Sequence, residues 1–236
     1  MADLSGRTIW CLGMYGSAST WLFNVVRLVQ ALALEAQPVS HFFSGGESLA
    51  EFGRAGTVDL VKSHEIAGEA TVLALAARAA RIFITVRDPR DAVVSLMQAR
   101  SHSFERALYF VGDAARLCME FSGDARARLY RYESGFFNDE QTVHEIAVWL
   151  GGAISAADAA RIFAATSRPE VEKHIARMHG QPGILQDRQS GDLLDPHTQW
   201  HSHHAGRSGE TGRWRTVLTP EQVLEIETRI PYFLVR

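Results

Sequence analysis

The sequence predicts an α/β protein, a single domain over residues 1–236: a parallel β-sheet flanked by helices on both faces, with a long loop or lid near the C-terminal third. Three observations carry this expectation. Short apolar runs alternate with helical patterns along most of the chain, the signature of a parallel sheet covered on both sides. A strand, a glycine-rich turn and a helix follow one another from Thr8 to about Glu35. From His179 to Gly212 the periodicity vanishes in a stretch rich in Gly, His, Asp and Gln, as it does in lids and binding loops.

Thr8–Gly13 (TIWCLG) is a short apolar run leading into the glycine turn and reads as a buried strand. From Thr20 onward Trp21, Leu22, Val25, Val26, Val29 and Leu32 form a wide helical stripe. Val39–Phe43 and Val58–Lys62 read as further strands, and Ala70–Ala80 as a helix. Arg81–Val86 (RIFITV), β-branched and without a breaker, is the clearest strand. Pro89 then stands where a first helical turn tolerates proline, and the helix PRDAVVSLMQAR follows. Phe104 to Phe121 is amphipathic, with Leu108, Val111, Ala115 and Cys118 at helical spacing. Arg128–Tyr132 reads as a strand, Asp139–Leu150 and Ala156–Ala165 as helices. At Thr219-Pro220-Glu221-Gln222 a threonine cap, a proline at the first position and a glutamine three after the cap start the last helix.

Composition narrows the functions. Hydrophobic content of 46% and charged content of 22% are ordinary for a globular protein. A net charge of −3 gives no reason to expect nucleic-acid binding, so any anion site must be a local cluster of basic groups. Cys11 and Cys118 lie in apolar surroundings and read as two buried thiols of a reducing cytoplasm. The first ten residues, MADLSGRTIW, carry an early Asp and no long apolar run, so they read as neither signal peptide nor anchor. No stretch suggests a membrane span. Of 24 basic side chains only Lys62 and Lys173 are lysines, a preference that points to a GC-rich bacterial genome.

Four motifs carry chemistry. The first, Gly13 to Trp21 (GMYGSASTW), keeps the frame of the nucleotide-binding loop G-x-x-x-x-G-K-[ST], but Ser19 stands where the lysine would be. Backbone amides at a helix start bind an anion without side-chain charge, and Ser17, Ser19 and Thr20 add hydroxyls. Asp88 follows a strand but is flanked by Arg87 and Arg90, so no magnesium-holding aspartate stands out. The loop therefore suits a terminal phosphate that needs no metal. The second motif runs from Arg87 at a strand end to Ser95 two turns into the next helix, where arginine and hydroxyl can converge on one phosphate. The third, Lys62-Ser63-His64, ends a strand. Ligands bind at that edge of an open α/β sheet, and a cation beside an imidazole can stabilise developing charge while the imidazole takes a proton. The fourth, Gly206-Arg-Ser-Gly-Glu-Thr-Gly-Arg-Trp214, closes the long loop with glycines that admit close backbone approach.

In this order the motifs resemble the sulfotransferases that use 3′-phosphoadenosine 5′-phosphosulfate (PAPS), a family with a P-loop-like three-layer fold. Tyr15-Gly16-Ser17-Ala18-Ser19-Thr20-Trp21-Leu22 lies over the family's P-K-S-G-T-T-W-L loop. Lys62-Ser63-His64 matches its catalytic K-x-H, Arg87 to Ser95 its R-x-P-x-D-x-x-x-S, and Arg131-Tyr132-Glu133 its R-Y-E. Arg207 to Trp214 is similar to the closing R-K-G-x-x-G-x-W. The blocks run from residue 9 to about 220.

The resemblance implies sulfuryl transfer from PAPS, releasing PAP, to an acceptor hydroxyl or amine by in-line displacement, with His64 as general base and Lys62 stabilising the leaving oxygen. It implies that residues 15–21 hold the phosphosulfate, that Arg87, Ser95, Arg207, Ser208 and Gly209 hold the 3′-phosphate side, and that Trp21, Tyr132 and Thr166 lie by the adenine. The acceptor is a small molecule, glycan or lipid, lined by segments around 39–56, 101–112 and 179–205. A dimer motif of animal relatives is partly echoed after Arg215, which admits a homodimer.

Two residues depart from the pattern: Gly16 and Ser208 replace lysines, so two charges on the cofactor are either missing or supplied by Lys62, Arg213 or Arg215. Those departures keep open a nucleotide-binding regulatory protein that has lost turnover; the other alternative is a small-molecule kinase with a degenerate loop, against which the missing loop lysine speaks. His197-Thr-Gln-Trp-His201-Ser-His203-His204 is the densest ligand cluster. It lacks Cys, Asp or Glu at metal-ligand spacing, so the expectation is a polar flap without metal, with Trp200 lining the acceptor pocket.

Overall fold

The computed structural model describes residues 7–33, 37–46, 49, 52–53, 57–187, 190–205 and 209–235. Strands β1 (Thr8–Gly13), β2 (Gln37–Phe42), β3 (Thr57–Ser63), β4 (Ala79–Val86) and β5 (Ala127–Arg131) pair in parallel in the order β2-β3-β1-β4-β5. The most buried strand, β1, is central. Its Cys11 pairs with Lys62 on one side and Phe83 on the other, and Gly13 pairs with Thr85. Because all five strands point the same way, the four residues that follow β1, β3, β4 and β5 (Met14, His64, Arg87 and Tyr132) leave the sheet at one edge.

Alternation along the strands sorts side chains to the two faces. Trp10, Leu12, Ile82, Ile84 and Val86 face a core built with α2 (Glu69–Arg78), α3 (Pro89–Arg100), α4 (Phe104–Phe121) and α9 (Pro220–Arg229). Ile9, Cys11, Leu60, Phe83 and Tyr130 face the other, built with α1 (Ser19–Ala33), α5 (Gln141–Trp149) and α6 (Ala156–Ala165). This is the three-layer arrangement read from the sequence. Cys11 and Cys118 are buried free thiols, one in each core. Among the described residues no helix is long and apolar enough to cross a membrane.

Several boundaries differ from the sequence reading. The alanine-rich helix ends at Arg78, not Ala80, because Ala79 pairs with Thr8 of β1 and Arg126 Nη1 donates to the carbonyls of Ala76 and Ala79. Sheet pairing outweighs the small helix preference of alanine. Strand β5 stops at Arg131, and Tyr132 opens a single 3₁₀ turn, Tyr132–Ser134.

Helix α7 (Arg168–Arg177) is absent from the sequence reading; Ser167 stands at its cap position and Pro169 within its first turn. Its sequence signal is Glu170 in the first turn and the apolar pair Val171 and Ile175, which bury against Met178 and Leu193. The long polar stretch holds a small antiparallel hairpin, β6 (Leu185–Gln186) with β7 (Leu193–Leu194), then a 3₁₀ turn at Ser202–Ala205 and the short helix α8 (Trp214–Val217). At α9 both halves of the capping box form: Thr219 accepts from Gln222 N–H and Gln222 accepts from Thr219 N–H. Thr219→Ala should therefore cost about 1 kcal/mol, read as a lower urea midpoint at unchanged slope.

Candidate active site

The loop between β1 and α1 is fixed from beneath. Met14 N–H donates to the Thr85 carbonyl, and the Ser17 hydroxyl donates to Met14 O at 2.6 Å and meets Thr85 Oγ1 at 2.8 Å. Ser17, expected as a ligand donor, is fully buried and holds the loop together instead. Gly16 and Ala18 adopt left-handed φ of 67° and 62°, which turns successive amides toward the edge where α1 begins at Ser19. The first amides of that helix have no intrahelical acceptor.

Lys62 comes up from β3 and donates through Nζ to Thr20 Oγ1 at 2.7 Å while only 2% exposed. Burial pushes its ammonium down to about 7. His64 Nδ1 lies 2.6 Å from the Gly13 carbonyl. A carbonyl only accepts, so Nδ1 carries the proton and Nε2 keeps its lone pair. Burial and the neighbouring Lys62 hold the imidazolium down at about 3, so the ring is neutral near pH 7. Tyr15 stacks on the ring at 4.3 Å and donates its hydroxyl to Glu65 at 2.7 Å. The backbone hydrogen bond and the stacked ring together fix His64 in orientation.

Arg87 and Ser95 meet at Gly16. A Cβ built there would stand 2.6 Å from Ser95 Oγ and 3.4 Å from Arg87 Nη1, so a side chain at residue 16 has to displace the Ser95 hydroxyl. Arg87 is 5% exposed; its Nη1 donates to Gly16 O and its Nη2 to Glu210 O, and its guanidinium lies 4.2 Å over the Tyr132 ring. No carboxylate pairs with it among the described residues. Arg90, by contrast, is committed to Asp88 at 2.6 Å and Glu227 at 2.7 Å, and covers Trp214. Asp88 caps α3 and holds Arg90, which accounts for its unsuitability as a metal ligand.

The closing segment folds onto the same corner. Tyr132 donates to Gly209 O at 2.7 Å, an approach that a Cβ at residue 209 would block at 1.8 Å. Asp91 accepts from Gly212 N–H and Trp214 N–H. Arg207 and Ser208 lie outside the described residues. Trp21 packs edge-on against Phe136, which continues through Phe137 to Tyr132, an aromatic row behind the loop. Thr166 is buried, and its hydroxyl donates back to Ile162 and Phe163 of its own helix. The structure thus gathers Tyr15, Gly16, Ser19, Thr20, Lys62, His64, Arg87, Ser95, Tyr132 and Gly209 at one edge, and gives Ser17 and Thr166 internal partners. Trp200, expected in the acceptor pocket, packs against the small cluster of Val171, Ile175, Met178 and Leu193.

Asp91, Glu65 and the Phe136–Phe137 pair were not singled out from the sequence. Asp91 had a signal: it is the aspartate of the Arg87–Ser95 motif and stands in the first turn of α3.

With this geometry the chain has the α/β fold of the PAPS-dependent sulfotransferases. It superposes on mouse sulfotransferase SULT7A1 complexed with PAP with a TM-score of 0.64 at 15% identity, over 94% of this chain and 82% of that one. Retinol dehydratase in complex with androsterone and the inactive cofactor PAP gives 0.61 at 15% identity, over 97% and 80%. The same enzyme with retinol and PAP gives 0.59 at 15% identity, over 98% and 83%. No family model matches the chain, and no curated protein sequence matches it.

Asp91→Ala removes the charged acceptor of two backbone N–H groups. It should lower stability by about 2 kcal/mol and make the 209–214 segment the first site of limited proteolysis, measured by timed trypsin digestion of the folded protein.

Proposed function

We propose that this chain is a PAPS-dependent sulfotransferase acting on a small-molecule, glycan or lipid hydroxyl or amine. The observation that carries the reading is the buried Lys62 ammonium, held against Thr20 of the anion loop beside a histidine whose free lone pair is set by the Gly13 carbonyl. A single hydroxyl cannot offset the several kcal/mol that a buried ammonium loses in leaving water, so the site favours an anion next to Lys62.

PAPS supplies the activated sulfuryl group. The amides of residues 16–20 and the Ser19 and Thr20 hydroxyls hold its phosphosulfate end, with Lys62 against the bridging oxygen. Arg87 and Ser95 hold the 3′-phosphate, a role that the motif also gives to Arg207, and Tyr132 lies near the base. Arg87 is suited to this because no carboxylate among the described residues pairs with its guanidinium. His64 Nε2 takes the acceptor proton as the acceptor oxygen or nitrogen bonds to sulfur. The sulfur–oxygen bridge breaks on the opposite side, and Lys62 stabilises the charge that appears there. The bound anion raises the basicity of His64, offsetting the effect of its burial. The kinase alternative loses support because Asp88 is committed to Arg90. The regulatory alternative rests on Gly16 and Ser208, which stand where relatives carry lysines.

PAP should raise the melting temperature of the protein and ATP should not, by ligand linkage. His64→Ala should lose roughly 10²–10⁴ of the transfer rate, with PAP binding retained; full activity in that variant would sink the base assignment. Tight PAP binding without any sulfated product across a broad acceptor panel would favour the regulatory reading.

Charge on Lys62 sets the alkaline limb. Its ammonium is lost as pH rises through about 7, so kcat/KM for PAPS should fall toward a tenfold loss per pH unit above that point. Lys62→Arg, which stays charged, should flatten the limb even at a lower rate. Gly16→Lys, which restores the residue of relatives, should cost about 1–2 kcal/mol of stability through its left-handed backbone and leave PAP binding no tighter.

A further inference from the structure

The flap over this edge holds a second constellation that the transfer chemistry does not use. Asp192 points Oδ2 at two imidazoles: His201 Nδ1 lies 2.7 Å away and His203 Nδ1 3.0 Å. Its other oxygen accepts from the Ser202 hydroxyl at 2.6 Å, and that same hydroxyl accepts from Leu193 N–H. The β6–β7 hairpin and the bridge between Leu194 and His201 set the register that brings residue 192 to residues 201 and 203. Donor atoms of all three residues fall within 4.8 Å of one another. The side chains are 10%, 19% and 20% exposed, so the cluster is sheltered but open on one side. The sequence expectation of a metal-free flap rested on the lack of an acidic partner, and Asp192 supplies one.

From these contacts we infer that Asp192, His201 and His203 form a zinc site that fastens the flap. Two imidazoles and one carboxylate are a donor set that zinc accepts, with bonds of about 2.0–2.2 Å that at tetrahedral angles place donors roughly 3.3–3.6 Å apart. The two contacts of Asp192 with His201 and His203, 2.7 and 3.0 Å, need an opening of about 0.3–0.9 Å to admit the metal. Each ring must move its proton from Nδ1 to Nε2, which neutral imidazole does without net proton release. Ser202 keeps the carboxylate turned toward the metal, as outer partners of zinc ligands do. Arg100 Nη1, 3.9 Å from Asp192 Oδ2, is beyond hydrogen-bond reach and one-third exposed, so it can swing aside. His204 lies outside the triad: its Nδ1 accepts from His201 N–H. A fourth position remains for water or an acceptor group. Zinc here would pin residues 192–203, which also rest on α1 through Asn24 to Thr198 O and Arg27 to His197.

The test requires neither PAPS nor turnover. Full-length protein stripped with a chelator is titrated with Zn²⁺ by calorimetry, and with Co²⁺ while its visible bands are followed. The expected result is one metal per chain with Kd below about 1 μM, weakened at least about 100-fold in Asp192→Asn and in His203→Ala. His197→Ala, outside the triad, should bind as wild type. Circular dichroism of each variant separates lost binding from lost fold, and the Co²⁺ spectrum of the unmutated protein reports histidine ligation with no variant needed. Absence of saturable binding, or equal affinity in wild type and both ligand variants, overturns the assignment.

Discussion

The register of the central strand governs the rest of the molecule. With Cys11 beside Lys62 and Gly13 beside Thr85, the end of β1 can lie only between the ends of β3 and β4. A slip of one residue would exchange the two faces of the strand, turning Trp10 and Leu12 out of one core and Ile9 and Cys11 out of the other. The site is thus specified by the same apolar alternation that specifies the core. The polar groups at the edge are carried there by hydrophobic packing and need no separate folding instruction.

Within that frame the polar groups divide their work. Ser17, Asp88, Arg90 and Asp91 are bound among themselves and to backbone, and they hold the loop, the start of α3 and the closing segment in fixed relation. Among the described residues Lys62 and Arg87 have neutral partners: a hydroxyl, two carbonyls and a ring face. The difference between Arg87 and Arg90, three residues apart, lies in the carboxylates that one has and the other lacks. Gly16 belongs to the same economy, since the space a side chain would take is filled by Ser95 and Arg87.

Much of this was legible in the sequence, for physical reasons that also explain the omissions. The TIWCLG and RIFITV strands, the α4 stripe and the capping box at Thr219 are local patterns, and they formed as read. Lys62, His64 and Arg87 were legible because strand ends in a parallel sheet share an edge. Helix α7 was missed because serine and proline can end a helix as well as start one, and the choice depended on burial of Val171 and Ile175 against residues far along the chain. Ala79 and Ala80 went to the sheet because pairing with β1 is nonlocal. The roles of Ser17 and Thr166 turned on which acceptor lay nearest, something residue type does not encode. Asp192 meets its histidines only through a hairpin with two-residue strands, too short to leave a periodic trace.

The tail reaches back to this corner as well. Val235 donates to Asp88 and accepts from Arg90, and Arg131 donates to Phe233 O. The shoulder on which α3 turns is therefore clasped by a residue 145 positions beyond Arg90 and 147 beyond Asp88. A disturbance at Val235 is felt first not at its own end of the chain but at the start of α3, beside Arg87 and the β1–α1 loop.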